Sequence, residues 1–510
     1  MVQCRRFTRK RQIMTVDKGQ AMSYVSRRKF LGMGAAAMGL AAADIVFWKD
    51  GFVSGPMLAS TDSKERIVST SGGHNCGGRC VIRVHVRDNR IVRISTEDDI
   101  PDTEPMPQLR GCLRCRAYRD RLYHPDRLKY PMKRVGKRGE GRFERITWDE
   151  ALNIIASHTK RIMKDYGPDA IYLNYGTGNQ GKVAERVWMA RLMGLYGGYL
   201  SYYGTYSTAC TQAATPYTFG VANTGNSRED WVNAKLIILL GLNPVETIHG
   251  TNTPYYLKRA KEAGARIVVI DPRYTNSAVA FADQWIPIRP TTDSALLDAM
   301  AYVMITGHLH DQKFLDSYCL GFDEEHMPTG VPPGNSYKSY VLGLGEDGIA
   351  KTPAWAEGIT GVPQSSIVQL ALQYATMRPG ALIQGYGPQR HAYGEQVVRS
   401  GTVLAAMTGN IGVKGGWASG AGYSARQQVV GAIPIPNPSK SQISVFIWPD
   451  AIRRGKEMGP ADGVKGVPSR IRTFIAERTC SELKLSTGEP AESGHNDNHD
   501  KHSGQHELDD

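Results

Sequence analysis

Nowhere in the 510 residues does an uninterrupted apolar run reach the roughly 18 that a membrane-crossing helix needs. No spanning helix is expected, and the mature chain is expected to be soluble. Cysteine is sparse, at eight, which excludes a disulfide-scaffold protein. Glycine (55) and proline (27) stay far below collagen-like or low-complexity levels. Hydrophobic residues make up 41% and charged residues 22%, the balance of a globular protein rather than a disordered one. The length allows about two to four domains. Acids are nearly missing from the first thirty positions, which hold nine Lys/Arg against Asp17 alone. Of the net charge of +13, +8 therefore sits there, and the other residues share +5. The basic excess belongs to a leader, and no nucleic-acid partner is expected.

Within that leader, Ser26-Arg27-Arg28-Lys29-Phe30-Leu31 precedes a Gly- and Ala-rich apolar stretch over 31–43. A charged segment with paired arginines before a short apolar one is the twin-arginine export pattern. Residues 1–60 are read as that leader, with Met22 a candidate start and cleavage near Ala43 or Ala59. The route carries folded proteins, so it suits a cofactor inserted before export. It places the chain in the periplasm or on the outer face of the cell membrane.

Beyond the leader the pattern turns to short strands. Two apolar-alternating runs, 81–86 and 90–94, flank Asp88-Asn89 as a hairpin. Thr147-Trp-Asp-Glu150 reads as a capping box opening a helix to about Tyr166. Strands are then expected at 170–175, 235–241, 266–270 and 285–288. Helices are expected over 183–195, from Thr253 with Pro254 at its first position, and over 293–306. Such alternation predicts an α/β fold with parallel sheets and ligands at the carboxyl ends of the strands. The last thirty residues hold eight acids, four histidines and only three leucines, and are expected to be disordered.

Four cysteines form two tight pairs, Cys76-x3-Cys80 and Cys112-x2-Cys115, with 31 residues between. Thiols so spaced suit an iron–sulfur cluster, a zinc ion or a pair of disulfides. Gly176-Thr-Gly178-Asn-Gln-Gly181 fits a dinucleotide loop, yet no acid lies between Arg186 and Arg228 to hold a nicotinamide ribose. A nicotinamide dehydrogenase is disfavoured. Those glycines fit backbone approach to a phosphate or pterin, or a tight turn.

Several segments in order resemble the molybdopterin oxidoreductases of the dimethyl sulfoxide reductase family, and among them the catalytic A subunits of the anaerobic reductases. They begin with His74-Asn-Cys76-Gly-Gly-Arg-Cys80, Cys112-Leu-Arg114 and His124-Pro-Asp-Arg-Leu-Lys-Tyr-Pro-Met-Lys-Arg134. Tyr203-Gly-Thr-Tyr-Ser207, Gly241-Leu-Asn243-Pro244, Asp271-Pro-Arg273 and Ile288-Arg-Pro-Thr-Thr-Asp293 follow. Gly385-Tyr-Gly-Pro-Gln389-Arg390-His391 and Thr408-Gly-Asn-Ile-Gly412 close the series. The resemblance covers roughly residues 69–458.

That resemblance implies oxygen-atom transfer from S-oxides or N-oxides such as dimethyl sulfoxide, in anaerobic respiration. It implies a molybdenum bis(molybdopterin guanine dinucleotide) with Ser207 as the protein ligand, Cys210 being the rival. Asn243, Asp271 and Asp293 would bind the guanine dinucleotide ends, with Gly176, Gly178, Arg273, Gln389 and Arg390 also at the cofactor. One cluster, of the 4Fe-4S kind, would be held by Cys76, Cys80, Cys112 and Cys115, with Arg114 between cluster and pterin. The usual first cluster position is Gly72 here, so the fourth ligand is Cys115, His74 or absent. Implied partners are an iron–sulfur electron-transfer subunit and a quinol-oxidising membrane anchor. Implied domains are an iron–sulfur domain at 61–135, one α/β domain at 136–200 and 376–467, and an inserted one at 201–375. Recognisable sequence fades at about Val467, which suggests a shortened chain without the family's barrel-like domain, with residues 468–510 disordered or frame-shifted. A catalytically inactive fragment, or a relative acting on selenate, thiosulfate or polysulfide, is the competing expectation.

Overall fold

The structure, a computed structural model, describes residues 3–4, 65–72, 76, 80–96, 103, 107–176, 185–221, 224–247, 250–420, 435–454 and 457–466. Nearly all of the leader, Gly178 and residues 467–510 lie outside the described residues. The chain divides into two compact units, Met1–Arg127 with Thr208–Gln428, and Leu128–Ser207 with Val429–Asp510.

In the first unit the strands Arg66–Ser71, Val81–Arg87 and Arg90–Thr96 form an antiparallel sheet. The expected hairpin is present, and Asp88 and Asn89 turn it at φ 49° and 58°. Two left-handed residues in succession match the right-handed strand twist, and Asp and Asn are side chains that tolerate them.

The same unit contains a four-stranded parallel sheet in the order Gln284–Ile286, Arg266–Ile270, Leu236–Leu240, Gly380–Gln384. Its strands read as continuous apolar runs because both faces are covered. Leu236, Ile238, Leu240, Val268 and Ile270 pack on one side with the helices Asp293–Thr306, Gln364–Thr376 and Glu395–Met407. Ile237, Leu239, Ile267 and Val269 pack on the other with helix Thr253–Glu262. A period of two thus splits one run of sequence between two cores. Two strands, Arg266–Ile270 and then Gln284–Ile286, follow outward from Leu236–Leu240 in one direction, and Gly380–Gln384 pairs on its other side. The order reverses between Leu236–Leu240 and Gly380–Gln384, and in such sheets ligands bind at the carboxyl ends beside the reversal. Close approach is built in there: a Cβ on Gly385 would lie 1.9 Å from the Gly241 carbonyl oxygen.

The second unit carries helix Trp148–Tyr166, whose Thr147 hydroxyl accepts the Glu150 N–H at 3.1 Å. The box is only half made, since the Glu150 carboxylate turns to Lys133 at 3.5 Å. No residue of this helix is buried, and Trp148, Leu152 and Ile155 are more than half exposed. The strand expected at 170–175 does not form. Pro168–Ala170 is a 3-10 turn, and only Tyr172 bridges to Leu200. The short sheet instead joins Ser201–Tyr203, Gln442–Ser444 and Val464–Lys465 around Leu200, Ile443, Met458 and Val464. Among the described residues, no helix is long and apolar enough to cross a membrane.

Candidate functional site: a cysteine centre and the carboxyl edge of the parallel sheet

Cys80 immediately precedes strand Val81–Arg87, Cys112 caps the one-turn helix Leu113–Arg116, and Cys115 lies within it. Thr96 pins that arrival by accepting the Gly111 N–H at 3.1 Å. The three sulfurs meet: the Cys115 thiol hydrogen-bonds to both Cys112 and Cys80. That contact draws Cys80 down to about 6 and Cys112 to about 5, and pushes Cys115 far up. None of Cys76, Cys80, Cys112 and Cys115 is in a disulfide. Cys80 and Cys115 are buried with Ile82, beside Val84 and Ile94. Two sulfurs that shed protons easily, converging with a third in an apolar lining, fit a thiolate-ligated iron–sulfur cluster.

Cys76 joins this centre through the backbone, its carbonyl accepting the Gly250 N–H at 2.6 Å. The next residue, Thr251, places its hydroxyl 3.5 Å from the Cys80 sulfur. Asn252 Nδ2 donates to the Gln108 carbonyl at 2.7 Å. The turn 250–252 therefore ties both cysteine segments to the region after strand Leu236–Leu240. Arg114 does the same by donating to the Glu246 carbonyl. Glu246 in turn reaches Asn276 at 2.9 Å and Arg273 at 3.5 Å. The arginine thus connects the cysteine helix with the edge of the sheet.

Along that edge the structure brings together Asn243, Asp271, Arg273, Asp293, Gln389 and Arg390, each following a parallel strand. Asn243 is 7% exposed, and its Oδ1 accepts from the Ser277 hydroxyl at 2.6 Å. This fixes the amide and leaves Nδ2 buried without a partner. A buried orphan donor is costly, and a ligand acceptor would satisfy it. Asp271 Oδ1 accepts the Arg273 N–H at 3.0 Å, and burial raises its pKa. Asp293 begins helix Asp293–Thr306, and burial pushes it up to about 6. Two residues earlier Thr291 stands at φ 70°, a strained conformation for a β-branched residue.

Gln389 is already engaged by protein. Its Oε1 accepts the Cys210 N–H at 3.2 Å and the Thr211 N–H at 3.4 Å, and its Nε2 donates to the Tyr386 carbonyl at 2.9 Å. The Thr208 side chain makes no cap bond to helix Ala209–Phe219, so Gln389 supplies it. Arg390 lies over the Tyr386 ring at 5.1 Å.

Ser207 and Gly176 lie in the second unit. Ser207 donates its N–H to the Thr205 hydroxyl at 3.2 Å, which also sits 3.1 Å from the Tyr175 hydroxyl. Tyr175 packs edge-on against Tyr202 and Tyr206. Gly176 is exposed, with open space where a Cβ would stand. The motif reading did not find Ser277, Thr251 or Glu246, since single polar residues in loops carry no spacing signal.

A cysteine centre of iron–sulfur type beside the ligand edge of a parallel sheet is the arrangement of a redox protein that carries a cofactor at that edge. Residues 127–473 match the Molybdopterin oxidoreductase family and residues 69–124 match the Molybdopterin oxidoreductase Fe4S4 domain. The chain belongs to the molybdopterin oxidoreductase family. It is 46% identical over 455 residues to dimethyl sulfoxide reductase DmsA of Escherichia coli strain K12, covering 87% of this chain and 56% of that protein. It is 32% identical over 419 residues to a trimethylamine-N-oxide reductase of Vibrio cholerae, covering 77% of this chain and 47% of that one. Among solved structures, acetylene hydratase from Pelobacter acetylenicus aligns with a TM-score of 0.52 and 26% identity, over 68% of this chain and 45% of that chain. The chain spans about half the length of the curated relatives it matches.

Proposed function

We propose that the protein reduces S-oxides or N-oxides, dimethyl sulfoxide foremost, by oxygen-atom transfer at a molybdenum bis(molybdopterin guanine dinucleotide). The observation that carries this is the 46% identity to a dimethyl sulfoxide reductase across 87% of the chain. Bound there, the cofactor supplies a two-electron redox centre and an oxygen acceptor. Ser207 is the side-chain ligand of the metal. Asn243 Nδ2 donates to the guanine end, and the Asp293 carboxylate accepts from it. Cys80, Cys112 and Cys115, with Cys76, hold a 4Fe-4S cluster through which electrons arrive. Arg114 places a cation between cluster and pterin, where it favours the more negative reduced states. Gln389 acts through the first turn of helix Ala209–Phe219, which it caps. The chain is exported by the twin-arginine route to the periplasm, where it serves anaerobic respiration. It receives electrons from an iron–sulfur subunit coupled to a quinol-oxidising membrane anchor.

The direct test feeds electrons from a reduced viologen dye to the anaerobically purified chain. Dye oxidation dependent on dimethyl sulfoxide, with dimethyl sulfide appearing in step, is expected. Turnover with selenate, thiosulfate or polysulfide and none with any S- or N-oxide would refute the substrate class.

A further inference from the structure

His391 follows Arg390 in the loop after strand Gly380–Gln384, on the same edge as Asp293. The loop holds it firmly. Its carbonyl accepts the Gly394 N–H at 3.1 Å, and Tyr393 stands at φ 61°. Gly394 lies so close to Gln389 that a Cβ would sit 2.3 Å from the Gln389 carbonyl oxygen. The imidazole Nδ1 lies 2.6 Å from the Ala392 carbonyl. A carbonyl oxygen only accepts, so in the neutral ring Nδ1 carries the proton and Nε2 presents a lone pair. That Nε2 is buried and has no hydrogen-bond partner. The ring and the Asp293 carboxylate interact electrostatically. Two acceptors thus share one edge: the His391 Nε2 has no donor, and the Asp293 carboxylate takes only its own backbone N–H among the described residues.

We propose that His391 is a specificity residue for the nucleobase of the cofactor, its Nε2 accepting one proton of the guanine exocyclic amine. The Asp293 carboxylate takes N1–H and the other amine proton. Guanine offers two N2 protons beside N1–H, whereas hypoxanthine offers N1–H alone. The assignment rests on the guanine dinucleotide reading above, and it extends that reading to a residue of the 385–391 motif that the sequence reading gave no role.

Equilibrium dialysis of GDP and IDP against the full chain, produced in a host that cannot make the cofactor, separates the two claims. The wild type is expected to hold GDP more tightly than IDP. The change His391→Leu should weaken GDP by about five-fold, the worth of one net hydrogen bond, and leave IDP unchanged. The change His391→Gln, which restores an acceptor, should recover part of the loss and guards against a mere folding defect. Equal effects on GDP and IDP, or no effect of His391→Leu on GDP, would overturn the role of His391 alone. No GDP binding by the wild type would overturn the dinucleotide reading beneath it.

Discussion

Replacing Asp293 by asparagine should make the cofactor-free chain more stable while damaging the site. The carboxyl is 6% exposed, and burial raises it from the ordinary 3.8 to about 6. An acid raised by folding is carried at no penalty only while both states are protonated. Stability is then lost as pH rises from about 4 through about 6. Two pK units correspond to about 3 kcal/mol at pH 8, and the same curve leaves about 1 kcal/mol at pH 4.5. Asparagine forgoes the favourable charge at a helix N-terminus, about 1 kcal/mol at most. The expected net gain from Asp293→Asn is about 2 kcal/mol at pH 8 and near zero at pH 4.5. Urea unfolding of both proteins at both pH values measures it. In the same variant GDP binding should fall at least about ten-fold, because a buried charge-assisted contact is lost. A loss of stability at pH 8, or an equal gain at both pH values, would refute the reasoning. A stabilising change that costs binding is the mark of a residue retained for function.

Two further outcomes follow from the site. The change Gly385→Val places a side chain where even a Cβ meets the Gly241 carbonyl oxygen at 1.9 Å, so the carboxyl edge must open. Guanine nucleotide binding should be lost, and far-UV circular dichroism should show whether the sheet itself survives. The change Cys115→Ser should reduce iron from about four atoms per chain to fewer than about one, read by elemental analysis. Unchanged iron would remove Cys115 from the ligand set and return that place to His74 or to no residue.

Much of the fold was legible because the parallel strands are continuous apolar runs bounded by turn signals. Leu236–Leu240 and Arg266–Ile270 are two such runs, and helix Asp293–Thr306 begins and ends where its pattern does. The stretch 170–175 misled, since a short apolar run also suits a segment that makes one bridge and goes no further. The helix cap before Thr253 shifted to Asn252, which sits at φ 62° and makes no side-chain cap bond, a geometry that residue type alone does not specify. In the site, three of the paired cysteine sulfurs come together for a physical reason, a hairpin returning next to its start. The unpaired Nδ2 of Asn243 and Nε2 of His391 were invisible in the sequence. Each depends on which neighbour satisfies the other end of the same side chain, Ser277 in one case and the Ala392 carbonyl in the other. Such pairings are long-range or rotameric and leave no period to read.

The central claim is that this chain closes a molybdenum site and an iron–sulfur site of its own. Molybdenum and iron content per chain, by elemental mass spectrometry on anaerobically purified protein, tests it most directly. The account predicts about one molybdenum and about four irons. Protein that folds, keeps its cysteines reduced and yet carries neither metal would contradict it.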